Sequence, residues 1–371
     1  MAIGGRHIAT GEAPGRVNLI GEHTDYHEGF VLPTVIPQHT HVRMEARDDD
    51  VVRVHSDEIA ASREEYRIGE ERPGRGWLDY VAGVTAMLRR RGVPLSGLDI
   101  RISSQVPLGA GVSSSAALLV ALIRAARALL SLDLDDVAVA LLARQAETDF
   151  VGTPVGVMDQ MAASLGASGE ALFIDTRSLQ TERVSIPPSL DLLVIHSGVT
   201  HAHAGGEYRT RRDESFRAAA LLGLRYLRDA DPSWLPRIGQ LPDVLARRAR
   251  HIVTENKRVL EAVVALRSGD AERLGALFAA SQASMRDDYE ISTSEIDALV
   301  RIGTEHRDVY GARMTGGGFG GSVVMLTKSG RASAVGKDVM TSYRGITGCE
   351  GRIIVPEARE GQPPGGHASW T

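Results

Sequence analysis

The hydrophobic pattern of this chain changes period along its length. Residues 31–36 form a short apolar run, residues 40–47 alternate with Val42, Met44 and Ala46 on one face, and residues 51–55 alternate again. Three strands are therefore predicted, the last two joined by a turn at Asp48, Asp49 and Asp50. From Trp77 to Arg91 the period becomes helical: Trp77, Val81, Val84 and Leu88 share one face, and Gly92 follows a basic last turn as a stop signal. Residues 98–106 predict a strand, 107–112 a glycine-rich loop, and 113–130 a long helix whose three opening serines are candidate caps. A further helix is predicted over 135–149, then a loop with Gly152, Pro154 and Gly156, then strands at 171–175 and 191–196. From about residue 206 to 306 the chain reads as mostly helical and rich in Arg and Ala, before a glycine run at 316–321 leads into a strand at 322–327. No internal repeat is visible, and the tail after Pro356, with two prolines and three glycines, is expected to be loosely ordered.

Length turns this pattern into a domain expectation. Single cores stop growing at roughly 250 to 300 residues, so a chain of 371 residues is expected to form two domains, 1–190 and 191–371. Apolar residues at 43% and charged residues at 24% suit a globular protein that buries a core. The net charge of -5 arises from 42 basic and 47 acidic residues that are well mixed, which argues against a nucleic-acid partner. Cys349 is the single cysteine, so an intramolecular disulfide and a Cys-rich zinc site are excluded, and a reducing, cytoplasmic setting is expected. The first residues lack an apolar signal core, and the most apolar run, 116–132, is broken by Arg124 and Arg127; neither export nor a membrane span is expected.

Four segments concentrate the candidate chemistry. In the first, Pro107, Leu108, Gly109, Ala110, Gly111, Val112, Ser113, Ser114, Ser115, Ala116 and Ala117 follow a strand and open a helix. Small residues admit a ligand to the backbone, and a helix N-terminus offers unpaired N–H groups, so a phosphate cradle or a plain capped turn both fit. It is not a P-loop, since no Gly-Lys-Ser/Thr follows, and not a dinucleotide fingerprint, since Ser114 stands where the third glycine belongs. The second segment crowds Arg16, Asn18, Glu22, His23, Asp25 and Tyr26 into eleven positions, a density suited to a polyhydroxylated ligand. His23 and His27 at i, i+4 could suggest a metal, but no His-Glu-x-x-His pattern exists. The third, residues 147–160, sets Asp159 beside a glycine-bearing loop; the fourth, residues 314–322, has five glycines in six positions, which suggests a backbone lying against another segment or a ligand.

Taken together the four segments resemble the GHMP kinase family, in its galactokinase branch. The stretch Gly15 to Tyr26 with Val31 to Pro33 is similar to that branch's sugar motif, the 107–117 loop to the family's phosphate loop, and residues 156–160 and 314–321 to its remaining motifs. Stretches at 77–84, 207–212, 248–256 and 284–289 extend the likeness over about residues 9 to 355. The resemblance implies an α+β fold of two domains, the first like the second domain of ribosomal protein S5, with the site between them. It implies phosphorylation of galactose at the C1 hydroxyl by ATP, with Mg²⁺. Asp159 would act beside that hydroxyl as base or electrostatic partner, with Arg16 near the transferring phosphoryl group. Ser115 and Glu147 would hold Mg²⁺; Glu22, His23, Asp25, Gly156 and Tyr208 would line the sugar pocket. Residues 107–116 would hold the ATP phosphates, and Trp77 would border the adenine.

Two features depart from the family pattern: Arg209 stands where Asn is usual, and residues 196–206 are rich in histidine and glycine. His201 and His203 read as exposed loop histidines rather than ligands. A kinase of N-acetylgalactosamine or another pyranose is the nearest alternative activity, and a non-catalytic sugar sensor a more distant one. No obligate protein partner is expected.

Overall fold

The computed structural model describes residues 7–59, 63–200 and 204–356. His201, His203 and the tail after Pro356 lie outside them.

Two sheets divide the chain between Ser185 and Leu190. The first contains β1 (Ile8–Asn18), β2 (Phe30–Val31), β3 (Pro33–Ala46), β4 (Val51–Ser56) and β5 (Arg63–Arg67), followed by α1 (Leu78–Arg90) and β6 (Leu98–Ser104). After α2 (Ser114–Leu130), α3 (Asp136–Gln145) and α4 (Met158–Leu165), the chain returns through β7 (Glu170–Asp175) and β8 (Thr181–Ser185). The strand order is β2-β7-β3-β6-β4-β5, with β1 on β3 and β8 on β7, and only the β4–β6 pair is parallel. Alternation along β4 and β6 turns Val52, Val54, Ile100 and Ile102 onto a core shared with Val81, Val84 and Leu88 of α1 and Leu119, Leu122 and Ile123 of α2. Each such side chain, fully buried, contributes about 1.5–3 kcal/mol over leaving it in water.

The second half begins with β9 (Leu190–Thr200) and continues through α5 (Ala204–Leu221), α6 (Leu235–Ile238), α7 (Asp243–Ser268), α8 (Ala271–Asp287) and α9 (Ser294–Glu305). It closes with β10 (Val309–Thr315), β11 (Gly320–Lys328), α10 (Ala332–Thr347) and β12 (Arg352–Val355). These strands form an antiparallel sheet in the order β10-β11-β9-β12. A further core crosses between the halves: Val17, Leu19, Ile20 and Val112 from the first pack with Val259, Phe278 and Val324 from the second.

Three local expectations need correction. Residues 33–46 form one strand rather than two separated near Pro37, because Pro37 falls where the β1–β3 register shifts, between Pro14 and Arg16, and no ladder hydrogen bond is asked of it. The helix expected over 135–149 is α-helical only to Gln145 and then widens into a π turn, Ala146–Val151. Ser113 does not cap α2; its backbone is left-handed, at φ 61°, and its hydroxyl is used elsewhere. Among the described residues no helix is long and apolar enough to cross a membrane.

Candidate active site

The loop of residues 107–112 and the start of α2 lie at the junction of the two halves. The first half fixes the loop through Arg16, whose N–H donates to Val112 O (3.0 Å) and whose Nη1 donates to Gly111 O (2.8 Å). The second half fixes it through the Ser322 hydroxyl, which donates to Ala110 O (2.7 Å). The glycine run lies against it as well: a Cβ on Gly316 would stand 3.1 Å from Gly111 O, and one on Gly318 would press to 2.6 Å on Ile291. At Gly316 and Gly318, whose φ values are 93° and 89°, close packing and a left-handed backbone both call for glycine. No side chain caps the N-terminus of α2, which leaves its first N–H groups to an anion.

Asp159 faces this loop from the first turn of α4, where the helix dipole favours a carboxylate. Arg16 follows the register shift of the β1–β3 pair, where the extra residues lie on β3, and its Nε and Nη2 approach Oδ1 at 2.8 and 2.6 Å. The Ser113 hydroxyl donates to Oδ2 at 2.5 Å. Arg16 is buried, while the Asp159 side chain keeps 26% of its surface open, so the carboxylate is both held and reachable.

Glu147 sits in the π turn, a distortion frequent at functional sites. It is buried, and the Ser115 hydroxyl and Gln160 Nε2 (2.7 Å) donate to it. Burial first, and Asp159 beside it, push its carboxyl up to about 7 against those donors.

The segment between β1 and β2 forms the facing wall. Burial, then repulsion from Asp159, raises Asp25 to about 6, and its Oδ1 accepts the Tyr26 N–H at 2.9 Å. Gly156 packs directly on this carboxylate. His23 has a left-handed backbone, φ 64°, and burial lowers its pKa to about 3, so the ring is neutral. Gly317 O, 3.2 Å from Nε2, can only accept; Nε2 therefore carries the proton, and Nδ1 accepts from the Tyr26 hydroxyl at 2.8 Å. Tyr208 stacks obliquely on His23 with ring centroids 5.1 Å apart. Glu22 is spent inside the protein: Oε2 meets Arg313 and Oε1 accepts the Gly316 N–H at 3.1 Å. Burial, ahead of the Arg313 attraction, leaves its pKa raised.

The structure thus brings Arg16, Asp159, Ser113, Ser115 and Glu147 together, with Asp25, Gly156, His23 and Tyr208 beside them. Trp77 stands at the N-terminus of α1, half-buried against the core of the first half. His23 and His27 do not make a metal pair. Both ring nitrogens of His27 are used, by the Ser215 hydroxyl (2.8 Å) and the Leu227 N–H (3.3 Å), and burial lowers its pKa to about 3. Among the described residues no group of three or more His, Cys, Asp or Glu could hold a metal ion. Sequence reasoning missed Arg313 and gave no role to Glu255 and Tyr289, which lie in the 248–256 and 284–289 stretches that carry the family likeness. Arg313 meets Glu22 and the carbonyls of Asn18 and Leu19, Glu255 accepts from Gly21, and the Tyr289 hydroxyl meets that of Tyr26 at 2.7 Å.

The family model for the GHMP kinases N terminal domain matches residues 79–167 and that for the GHMP kinases C terminal domain residues 262–343. The galactokinase galactose-binding signature matches residues 2–45. The fold and its loop define a kinase of the GHMP class. The chain belongs to the GHMP kinase family, in its galactokinase branch, being 43% identical over 340 residues to a galactokinase of Streptomyces coelicolor, with 89% of this chain and 87% of that protein covered. The crystal structure of Lactococcus lactis galactokinase complexed with galactose matches with a TM-score of 0.89 at 30% identity, covering 93% of this chain and 92% of that one. Methanococcus jannaschii mevalonate kinase, at 18% identity and a TM-score of 0.67 over 95% and 98% of the two chains, shares the fold.

Proposed function

We propose that the protein transfers the γ-phosphoryl group of ATP to the C1 hydroxyl of galactose, giving galactose 1-phosphate and ADP. The observation that carries this reading is the Asp159 carboxylate, held by Arg16 and Ser113 between an uncapped helix N-terminus and a wall of polar and aromatic groups. An acceptor hydroxyl on that wall lies within reach of both a proton acceptor and a phosphate site.

In this reading residues 107–116 cradle the phosphates and Trp77 borders the adenine. Asp25, His23 and Tyr208 form the sugar wall over Gly156, and Glu22, already met by Arg313, closes it from behind. The sugar oxygen bonds to the γ-phosphorus as the bond to the bridging oxygen breaks; ADP leaves with that electron pair, and the hydroxyl proton passes to Asp159. Arg16 offsets negative charge on the transferring group. Ser115 and Glu147 are the residues we assign to Mg²⁺. Both supply hard oxygen donors, and a carboxyl that burial keeps half neutral near pH 7 gains reason to ionise beside a cation. The bound ion would neutralise phosphate oxygens. A reducing cytoplasm suits a chain whose one cysteine, Cys349, is a free thiol.

The test is ADP release with ATP, Mg²⁺ and a panel of galactose, glucose and N-acetylgalactosamine, with the product's phosphate placed by NMR. Glucose carries the C4 hydroxyl equatorial rather than axial, and a site that hydrogen-bonds one hydroxyl rejects an analogue that cannot satisfy it by up to about 10⁴ to 10⁵, so glucose should be a poor substrate. Equal kcat/KM for glucose and galactose, or preference for the acetylated sugar, would overturn the galactose assignment.

A further inference from the structure

The stretch 248–256, which the catalytic reading leaves unused, lies on α7 and presents His251, Glu255 and Asn256 to one side. All three are buried. A helix face at such a position is ordinarily apolar, because each polar group taken from water must find a partner. Here each finds a main-chain group of the sugar segment. His251 Nε2 donates to Glu22 O (3.1 Å), Glu255 Oε1 accepts the Gly21 N–H (2.9 Å), and Asn256 Oδ1 accepts the Phe30 N–H (2.8 Å).

The segment needs this help. Between the end of β1 at Asn18 and the start of β2 at Phe30 its one regular element is a single turn, Asp25–His27. Two of its non-glycine residues, His23 and Glu28, hold left-handed backbones at φ 64° and 56°, a conformation that persists where surrounding contacts impose it. Those contacts are themselves anchored. Ser281 donates to Glu255 Oε1 (2.7 Å) and Arg258 to Oε2 (2.6 Å), while Arg313 reaches Asn18 O (3.2 Å) and Leu19 O (2.8 Å) from β10.

We infer that the polar face of α7 acts as a template for the sugar segment, and that His251, Glu255 and Asn256 are positioning residues for galactose recognition: they set the backbone from which His23 and Asp25 meet the sugar. This rests on the proposed function, since it takes the 22–26 segment as the sugar wall. Burial works against charge on His251 and lowers its pKa to about 4, so the ring is neutral and can be replaced without removing a charge.

The experiment compares His251→Leu, which deletes the donor to Glu22 O, with His251→Gln, whose amide nitrogen can still donate. His251→Leu should raise the galactose KM about tenfold or more, with ATP KM within about twofold of wild type, and His251→Gln should recover most of the loss. Thermal unfolding establishes that each variant is folded, and calorimetric titration of galactose and of ATP gives the same split without turnover. If His251→Leu does not fold, Asn256→Ala, which deletes the acceptor for the Phe30 N–H, decides by the same readouts. A folded variant with unchanged galactose KM, or with equal losses for galactose and ATP, would overturn the inference. A wild-type protein that does not phosphorylate galactose would instead overturn the proposed function, and is seen before any variant is made.

Discussion

The Asp25 carboxylate and the α-carbon of Gly156 lie so close that a Cβ on residue 156 would stand 1.7 Å from Asp25 Oδ2. Asp25 cannot swing aside freely, because its Oδ1 holds the Tyr26 N–H and the backbone of Met158 holds the carboxylate too. Gly156→Ala should therefore displace Asp25, costing about 1–3 kcal/mol of stability as an overpacked site does. Galactose KM should rise by about tenfold or more while ATP affinity stays near wild type. Steady-state kinetics with each substrate varied in turn checks this; an unchanged galactose KM would show that Asp25 does not touch the sugar.

Asp159→Asn keeps the shape of the side chain but removes its capacity to take a proton and the charge that Arg16 faces. Turnover should fall by about 10² or more, the low end of what a general base supplies, with ATP binding nearly intact. Rapid-quench measurement of product formation, beside nucleotide titration, separates the two. Turnover within a factor of a few of wild type would remove Asp159 from the mechanism.

The Glu147 carboxyl, raised by burial from its ordinary 4.5 to about 7, ties the stability of the ligand-free protein to pH. Its proton leaves the unfolded chain at lower pH than the folded one. Its contribution is therefore whole below about pH 4.5, is lost as pH rises to about 7, and is constant beyond. The loss is on the order of 3 kcal/mol. Asp25, raised to about 6, adds a slope of the same sign, whereas the neutral rings of His23 and His27 add the opposite one. The decisive quantity is thus a difference: Glu147→Gln should gain stability relative to wild type between pH 5 and pH 7.5 in urea denaturation. Parallel pH profiles would place Glu147 outside this account.

Much of the fold is legible in the sequence because local period and turn chemistry decide it: α1, α2 and β4 lie within a residue or two of where the pattern puts them. The loop at 107–112 is legible for the same reason, standing between a strand and a helix, whereas Asp159 stands out only by its glycine-bearing loop and the family likeness, because the pattern does not show the short α4 that carries it. What the pattern cannot carry is the partner of a buried polar group. Ser113 reads as a cap, yet its hydroxyl turns to Asp159. Glu22 reads as a free carboxylate among ligand-binding groups, yet it is neutralised by Arg313, 291 residues away. The π turn at Glu147 is invisible because it closes the helix at Gly152, with no further turn whose apolar positions could show the change of winding.

The reach of Arg313 also bears on when the protein becomes competent as it is made. Asn18 O and Leu19 O are paired by a guanidinium 295 and 294 residues further on, so these carbonyls have left the ribosome long before their partner is synthesised. β1 and β3 can pair early, because little chain separates them. The stretch that follows β1 has to wait, its polar groups served by water or by a chaperone, until β10 emerges. A nascent chain stopped before Val309 would carry the whole 107–112 loop and Asp159, yet leave Asn18 O and Leu19 O without the guanidinium that pairs them.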